Sequence, residues 1–203
     1  MRKWLFGFMC LCLAGPVLGE EGQVVMSAQG LTVRFDPPPW STTRDLHRTS
    51  EIHQASGKTE NDTSLTMFEV IPAGEDFDAW TQLYAMSAEG PLAGDFDAYV
   101  NGQVNVYARA CDRAGVFHEA KRSASARSLI VLCDRYIDNP AQGEVGFFHM
   151  EMQGDTLVKV YHHIRVPAFD LGQVRAKPPV SIDKMRVAFL RVARTQIEPQ
   201  PGG

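Results

Sequence analysis

The second half of the chain carries a pattern that leaves few choices of fold. Four segments from Val116 onward are rich in β-branched and aromatic residues and are separated by short polar turns. Their sequences are VFHEAKRS, ARSLIVLCDRYI, GEVGFFHMEMQ and DTLVKVYHHIRV. Successive strands joined by such short turns pair as antiparallel neighbours, because a short connection only lets the chain reverse. The pattern therefore predicts an antiparallel meander of four strands.

The last two segments define a hairpin and its register. Gly154-Asp155 has the composition of a two-residue turn, which pairs Gln153 with Thr156 and fixes every later pair. In this register Met150 and Met152 lie on one face among apolar neighbours. That face is predicted to belong to the core, with the methionines filling gaps.

The opposite face of the hairpin carries His149, Glu151 and His162. In the predicted register the two histidines are diagonal neighbours, with their backbones roughly 7–8 Å apart. Two imidazoles and a carboxylate can bind Zn²⁺ or Cu²⁺ if a further ligand, such as His118, joins them. Alternatively, the histidines are ordinary polar residues on the outer face of the sheet or beneath a helix. The sequence leaves both interpretations open.

Three helices are predicted. Two begin with similar sequences, EDFDAW at 75–80 and GDFDAY at 94–99. In these sequences Asp76 and Asp95 can serve as N-caps, because their carboxylates can accept hydrogen bonds from backbone N–H groups. The first helix would end before Gly90-Pro91 and the second at Cys111, each with one apolar face. The third helix would follow Ser181 as its N-cap.

Shorter strands are predicted before the first helix. They lie at Val24–Met26, Leu31–Phe35, Ser50–Ala55 and Ser64–Pro72, with a turn at 56–58 after the third. Together with the helices and the meander they predict a single layered α+β domain over residues 20–197, in which helices flank an antiparallel sheet. The polar ending EPQPGG predicts a disordered tail over 198–203.

This order of elements resembles the Mog1/PsbP/DcrB-like group of proteins. The order is a set of strands, two helices, a four-stranded meander and a final helix. The resemblance implies an antiparallel sheet between helices, and it implies a small accessory or binding protein of the envelope without catalytic activity.

The first residues have the layout of a secretory signal peptide. Arg2 and Lys3 precede an apolar run from Trp4 to Ala14, and Gly15-Pro16 and small residues up to Gly19 follow. The apolar run is shorter than the ~20 residues that a membrane-spanning helix needs. The sequence therefore predicts cleavage after Gly19, export to the bacterial periplasm, and no membrane span in the mature chain. An uncleaved membrane anchor is the alternative.

Two cysteines, Cys111 and Cys133, remain after removal of the signal peptide. A pair of cysteines in an oxidising compartment predicts a disulfide, and closing a loop of about 22 residues would stabilise the fold by roughly 3 kcal/mol. Two buried free thiols are the alternative. Each cysteine is followed by an Asp-Arg pair, so a disulfide would let the two pairs form ion pairs with each other.

The charge of the mature chain argues against nucleic acid as a partner. Removal of Arg2 and Lys3 leaves 18 of the 20 basic residues against 24 acidic residues, a net charge of −6. Basic residues nevertheless cluster on the last predicted helix. They complement the helix dipole, or they form a docking face for an acidic partner. The four candidates are Lys184, Arg186, Arg191 and Arg194.

Motifs of the common enzyme classes are missing from the sequence. It contains no Gly-x-Ser-x-Gly, no His-Glu-x-x-His, no phosphate-binding glycine loop and no dinucleotide fingerprint. We therefore expect an envelope protein that acts by binding a protein partner, as a non-catalytic accessory or assembly factor without a cofactor. The alternatives are a periplasmic protein that binds Zn²⁺ or Cu²⁺, and a hydrolase that uses two carboxylates.

Overall fold

The computed structural model describes residues 22–200, together with the backbone of a two-residue strand at 17–18. The strands are β1 Val17–Leu18, β2 Val24–Ala28, β3 Leu31–Phe35, β4 Ser50–Lys58, β5 Ser64–Pro72, β6 Gln82–Gly90, β7 Ala114–Ser123, β8 Ala126–Cys133, β9 Gln142–Gln153, β10 Thr156–Pro167 and β11 Gln196–Pro199. The helices are α1 Leu46–Thr49, α2 Phe96–Ala110 and α3 Ile182–Ala193. The rest of the predicted signal peptide 1–19 lies outside the described residues.

Seven strands form the main sheet, in the order β4-β5-β6-β10-β9-β8-β7. Every neighbouring pair is antiparallel. Strands β7 to β10 form the meander, and β6 pairs with β10 and so joins the meander to the β4-β5 hairpin. The predicted α+β class and the four-stranded meander are confirmed.

Both faces of the main sheet are covered, because its central strands carry apolar side chains on both sides. Helix α2 packs Phe96, Val100 and Tyr107 against one face, where Phe148 and Met150 are buried. The other face is covered by α3 and by the smaller sheet, whose order is β1-β2-β3-β11. Helices thus flank the main sheet on both faces, as predicted, and the smaller sheet covers the rest of one face.

The N-caps predicted for α2 and α3 are present. The Asp95 carboxylate accepts the backbone N–H of Asp97 at 3.3 Å, and the Ser181 hydroxyl accepts that of Lys184 at 3.4 Å. Helix α2 ends at Cys111, as predicted. Within the described residues, no helix is both long enough and apolar enough to cross a membrane.

The predicted helix after Asp76 is wrong. The Asp76 carboxylate does accept the backbone N–H of Asp78 at 2.8 Å, but the bond closes only a turn. The chain then enters β6, in which the six residues from Leu83 to Ala88 are buried in succession. A strand buried on both faces shows no alternation of polar and apolar residues, so its sequence can be mistaken for a helix.

Two predicted boundaries also need correction. The turn expected at 56–58 lies later, because β4 continues to Lys58 and Thr59 donates its N–H to the Thr63 carbonyl at 2.8 Å. The predicted tail 198–203 begins as ordered chain, because Glu198 and Pro199 belong to β11 and pair with β3. Residues 201–203 lie outside the described residues.

The predicted hairpin and disulfide are confirmed. Gln153 pairs with Thr156 across the Gly154-Asp155 turn, and every predicted pair from there to the end of the hairpin is observed. A disulfide joins Cys111 and Cys133, whose Cα atoms lie 5.6 Å apart, and it ties the end of α2 to the end of β8.

Candidate functional site

A groove of about 730 Å³ lies between α3 and the main sheet. We call it the α3 groove. Its walls are mostly apolar and come from α3, from β10 and from the segments that follow β3 and precede α3. These wall residues are Trp40, Ile164, Pro179, Val180, Val187 and Ala188. Trp40 is held in place because its indole N–H donates to the Ser50 hydroxyl at 3.0 Å.

The groove follows one face of α3. Ser181, Lys184, Ala188 and Arg191 all line it, and their spacing of three or four residues places them on one side of a helix. Ten residue steps at 1.5 Å each give a groove length of about 15 Å along the helix. The groove is therefore elongated along the helix.

A buried histidine and an amide line the groove beneath the apolar walls. His162 Nε2 lies 3.1 Å from the Gln82 side-chain oxygen, and the imidazole is only 1% exposed. Its ring packs near those of Trp40 and Tyr84, with centroids 6.1 Å and 5.6 Å away. Burial, together with the nearby His163 and Arg191, lowers the pKa of His162 to about 3. The imidazole is therefore neutral at physiological pH.

Two of the four predicted partner-binding cations, Lys184 and Arg191, line the groove. Arg191 Nη1 donates to the Pro37 carbonyl at 2.6 Å, and neither cation forms an ion pair with a residue of the described chain. The acidic residue of the groove, Asp183, pairs with Arg186 at 3.6 Å. The groove therefore presents positive charge that the fold itself does not neutralise.

The other two predicted cations do not contribute to the groove. Arg186 is exposed and faces Asp183 on the surface of α3. Arg194 is exposed at the C-cap of the same helix. The basic cluster seen in the sequence therefore divides into a pair that lines the groove and a pair on the open surface.

Three buried polar atoms beside the groove have no hydrogen-bond partner within the described part of the chain. They are Tyr84 Oη, His162 Nδ1 and Arg191 Nε. Tyr84 and His162 stand opposite each other on β6 and β10, so their side chains share the face of the sheet that α3 covers. Arg191 lies near enough to influence the pKa of both residues. Together with the two unpaired cations, these atoms mark the groove as the leading candidate site.

The predicted metal ligands are brought together only in part. His149 is fully buried, with Nδ1 3.0 Å from the Ser128 hydroxyl and Nε2 3.3 Å from the Glu151 carboxylate. His162 instead turns to Gln82 on the other neighbouring strand. Across residues 22–200, no three His, Cys, Asp or Glu side chains are grouped so that they could hold a metal ion. The Zn²⁺ or Cu²⁺ site stays a prediction, and the geometry does not favour it.

A buried carboxylate that the sequence did not single out lies on the opposite face of the sheet. Glu144 Oε1 accepts the Tyr107 hydroxyl at 2.5 Å and lies 2.8 Å from His163 Nδ1. The Tyr136 hydroxyl donates to the other oxygen. Burial alone would raise the pKa of Glu144, but His163 and the two hydroxyl donors outweigh it and hold the pKa at about 2. Because these groups satisfy one another, we interpret the cluster as a structural link between α2 and the sheet.

The arginines beside the disulfide are likewise engaged. Arg113 Nε donates to the buried Asp134 carboxylate at 2.9 Å, and Arg113 also reaches Asp170 at 3.0 Å. This is the ion pair between the two Asp-Arg segments that the disulfide predicted. Arg135 contacts Asp134 only at 4.0 Å, but donates its backbone N–H to the same carboxylate at 2.7 Å.

Comparison with known proteins bears on the fold. No protein-family model and no curated protein matches the sequence. A solved structure of a point mutant of the protein Mog1 matches with a TM-score of 0.51 and 12% sequence identity, covering 87% of this chain and 94% of that one. The fold is Mog1-like. This confirms the resemblance expected from the order of elements, although one of those elements was assigned to the wrong class.

A second similar structure is the Ran-binding protein Mog1p of Saccharomyces cerevisiae. It matches with a TM-score of 0.45 and 8% identity, covering 73% of this chain and 96% of that one. At such identities a likeness concerns the fold, and function must be argued from the site.

Proposed function

We propose that this protein is exported to the bacterial periplasm and acts there by binding, as a non-catalytic accessory or assembly factor. The α3 groove is its binding site. The observation that carries the proposal is an apolar groove lined by two cations, Lys184 and Arg191, that form no ion pair within the described chain. Covering the apolar walls and pairing the cations both favour an occupant.

The dimensions and the surroundings of the groove support this function. Sites for small molecules have volumes of roughly 300–1,000 Å³ and combine apolar walls with a few converging polar groups. The same helix also exposes Ile182, Val187 and Leu190 to solvent, by 51%, 52% and 41%. An apolar face on a surface helix beside a cationic groove is typical of an interaction site rather than of a solvated surface.

The groove can be tested with a matched pair of variants. Val187→Glu places a carboxylate in the groove, and Val106→Glu makes the same change at a valine of α2 that is equally exposed, at 48% against 52%. We expect both variants to fold, because both valines already contact water. Only Val187→Glu should interfere with binding.

The measurement is native mass spectrometry of the protein isolated gently from its own host. We expect wild-type protein and Val106→Glu to carry additional bound mass, whether from a protein or from a small molecule, and Val187→Glu to lose it. Absence of bound mass in all three, or equal bound mass in all three, would refute the groove as the binding site.

The same spectra test export. A chain that begins at Glu20 is expected after removal of the signal peptide. Periplasmic protein that still carries residues 1–19 would contradict cleavage after Gly19.

A further inference from the structure

Two cations lie at the two ends of an apolar stretch on the groove side of α3. Lys184 belongs to the first turn of the helix and Arg191 to the last, and Val187 and Ala188 line the groove between them. Seven residues at 1.5 Å each separate the two cations by about 10.5 Å along the helix axis. Because seven residues are close to two full turns, both side chains lie on the same side of the helix. The groove therefore presents a cation, an apolar stretch and a second cation in line.

The fold does not neutralise either of these charges. Lys184 is exposed and forms no ion pair within the described chain. Arg191 is partly exposed, and its hydrogen bond to the Pro37 carbonyl leaves its positive charge without a carboxylate. Asp183 lines the groove as well, but it pairs with Arg186 on the surface of the helix at 3.6 Å. Charge complementarity therefore favours an occupant with two negative charges about 10 Å apart.

The apolar surface of α3 extends beyond the groove. Val187 lines the groove and is still 52% exposed, and Leu190, about one turn further along, is 41% exposed. A small molecule that filled the groove would leave much of this surface in water. A protein segment lying along α3 would cover both side chains, and burial of apolar surface is the main favourable contribution to association. The surface thus fits a protein segment better than a small ligand.

The distance between the cations favours a helix over a strand as the partner segment. On a helix, residues seven positions apart are separated by about 10.5 Å and lie on the same face, which matches the spacing of Lys184 and Arg191. On a strand, successive side chains alternate between faces, so side chains on one face repeat at about 6.8 Å and then about 13.6 Å. Apolar residues three and four positions after the first acid of a helix would meet Val187 and Ala188.

We propose that the α3 groove binds an amphipathic helix of a partner protein, which carries two acidic residues seven positions apart with apolar residues between them. One acid pairs with Lys184 and the other with Arg191, while the apolar residues pack against Val187 and Trp40. An apolar helix face that lies in an apolar groove is a general mode of peptide recognition. The inference rests on the proposed function, because it names the class of partner for the same groove.

The test is a selection from a display library of helical peptides on the full mature protein. The probe is an alanine-based helix of about 16 residues, long enough to be helical in isolation, with the positions of one face randomised. We expect the enriched peptides to carry two acidic residues seven positions apart, with apolar residues three and four positions after the first. Enrichment of peptides without this spacing, or of none, would overturn the inference.

A charge exchange locates the contact in the groove. The affinity of the most enriched peptide is measured by fluorescence anisotropy. Lys184→Glu should weaken binding at least about fivefold, because a like-charge pair replaces an ion pair. A peptide in which the matching acid is replaced by lysine should recover affinity for this variant and lose affinity for the wild-type protein. Failure to recover would refute the pairing with Lys184.

Arg109→Glu provides the matched control. It makes the same change of charge at an exposed residue in the last turn of α2, outside the groove. It should change the affinity by less than about twofold, because a charge beyond the contact is screened by salt. Equal losses in Lys184→Glu and Arg109→Glu would show that overall charge, rather than the groove, determines binding.

Failure of this inference differs from failure of the proposed function. If the protein from its host carries bound mass that Val187→Glu loses, but that mass is a small molecule or no acidic helix is enriched, the groove is a binding site and the helix is wrong. If the expected peptide is enriched but no bound mass is found, the recognition stands and the proposed function in the cell fails. If neither is found, both fail. Binding to vesicles of phosphatidylcholine and phosphatidylglycerol, without an enriched peptide, would assign the cations to a membrane surface and overturn the inference.

Discussion

Replacing Glu144 by glutamine should reveal how strongly the buried cluster holds α2 to the main sheet. The glutamine keeps the size of the side chain but removes its charge and turns one acceptor oxygen into a donor. In the wild-type protein, two tyrosine hydroxyls and His163 contact the carboxylate. In the variant, at least one of them must face an NH₂ group, and the negative charge that accepts all three contacts is lost.

The expected cost follows from burial. Leaving a buried hydrogen-bonding group without its partner costs roughly 1–3 kcal/mol, and more where the lost partner carries a charge. Since the remaining amide oxygen keeps one of its bonds, we expect a loss of about 3 kcal/mol in the free energy of unfolding. At a denaturant dependence of about 2 kcal/mol per molar urea, the unfolding midpoint would fall by roughly 1.5 M.

Glu69 provides a matched control. It accepts the Tyr161 hydroxyl at 3.3 Å and pairs with His53 at 3.2 Å, so it has the same types of partner. However, His53 is half exposed, and a solvent-exposed pair contributes about 0–1 kcal/mol. Glu69→Gln should therefore shift the urea midpoint by less than a third as much as Glu144→Gln. Equal shifts, or a shift below about 0.5 M for Glu144→Gln, would refute the assignment of the cluster as a structural link.

Two further predictions concern stability. Replacing Cys111 and Cys133 together by serine should lower the free energy of unfolding by about 3 kcal/mol at pH 7, because the disulfide closes a loop with a sequence separation of 22 residues. A loss below about 1 kcal/mol, measured by urea denaturation, would contradict this. Burial, with a contribution from His163 and Arg191, lowers the pKa of His162 to about 3, so below its unfolded value of about 6.5 the unfolded chain binds a proton that the folded chain does not. The free energy of unfolding should therefore fall by up to about 1.4 kcal/mol per pH unit as the pH drops from 6.5 towards 3. The variant His162→Gln should show a weaker dependence on pH. If the urea midpoints of wild type and variant change equally between pH 7 and 4, His162 is not the group responsible.

The hairpin shows what the sequence predicts well. A two-residue turn at Gly154-Asp155 determines the register, and the side-chain period of two then assigns each residue to a face. His149 and His162 do share a face, as predicted. A position beneath a helix was one of the alternatives that the sequence left open, and it could not be chosen in advance because it depends on α3 packing over that face from a distant part of the chain.

The segment after Asp76 shows why the rest could not be predicted. Phe77, Trp80 and Tyr84 have the spacing of a helix face, but this spacing is incidental. Pairing with β5 and β10 makes β6 a central strand, and the side chains that pack above and below the sheet bury both of its faces. These tertiary contacts override the local pattern. No local signal in a single sequence reports which two strands a segment will lie between.

The candidate site was predicted in pieces rather than as a whole. The basic face of the last helix singled out Lys184 and Arg191, and the hairpin singled out His162, although for a different role. Tyr84 and Gln82 were missed, because they belong to the strand that was mistaken for a helix. A site assembled from β6, β10 and α3 becomes visible only once the strand order is known.

The pairing of β11 with β3 has a consequence for the order of events during folding. Gln196 meets Arg34, so the smaller sheet is closed by residues from opposite ends of the described chain. Contacts at such a separation form late, because the entropy of closing the long intervening loop must be lost first. The segment 37–40, which follows β3 and contributes Trp40 to the groove, therefore gains its final support only after β11 has paired. A chain stopped before residue 196 could form the meander and still lack a finished groove, so the ability to bind would depend on the pairing of β11 with β3.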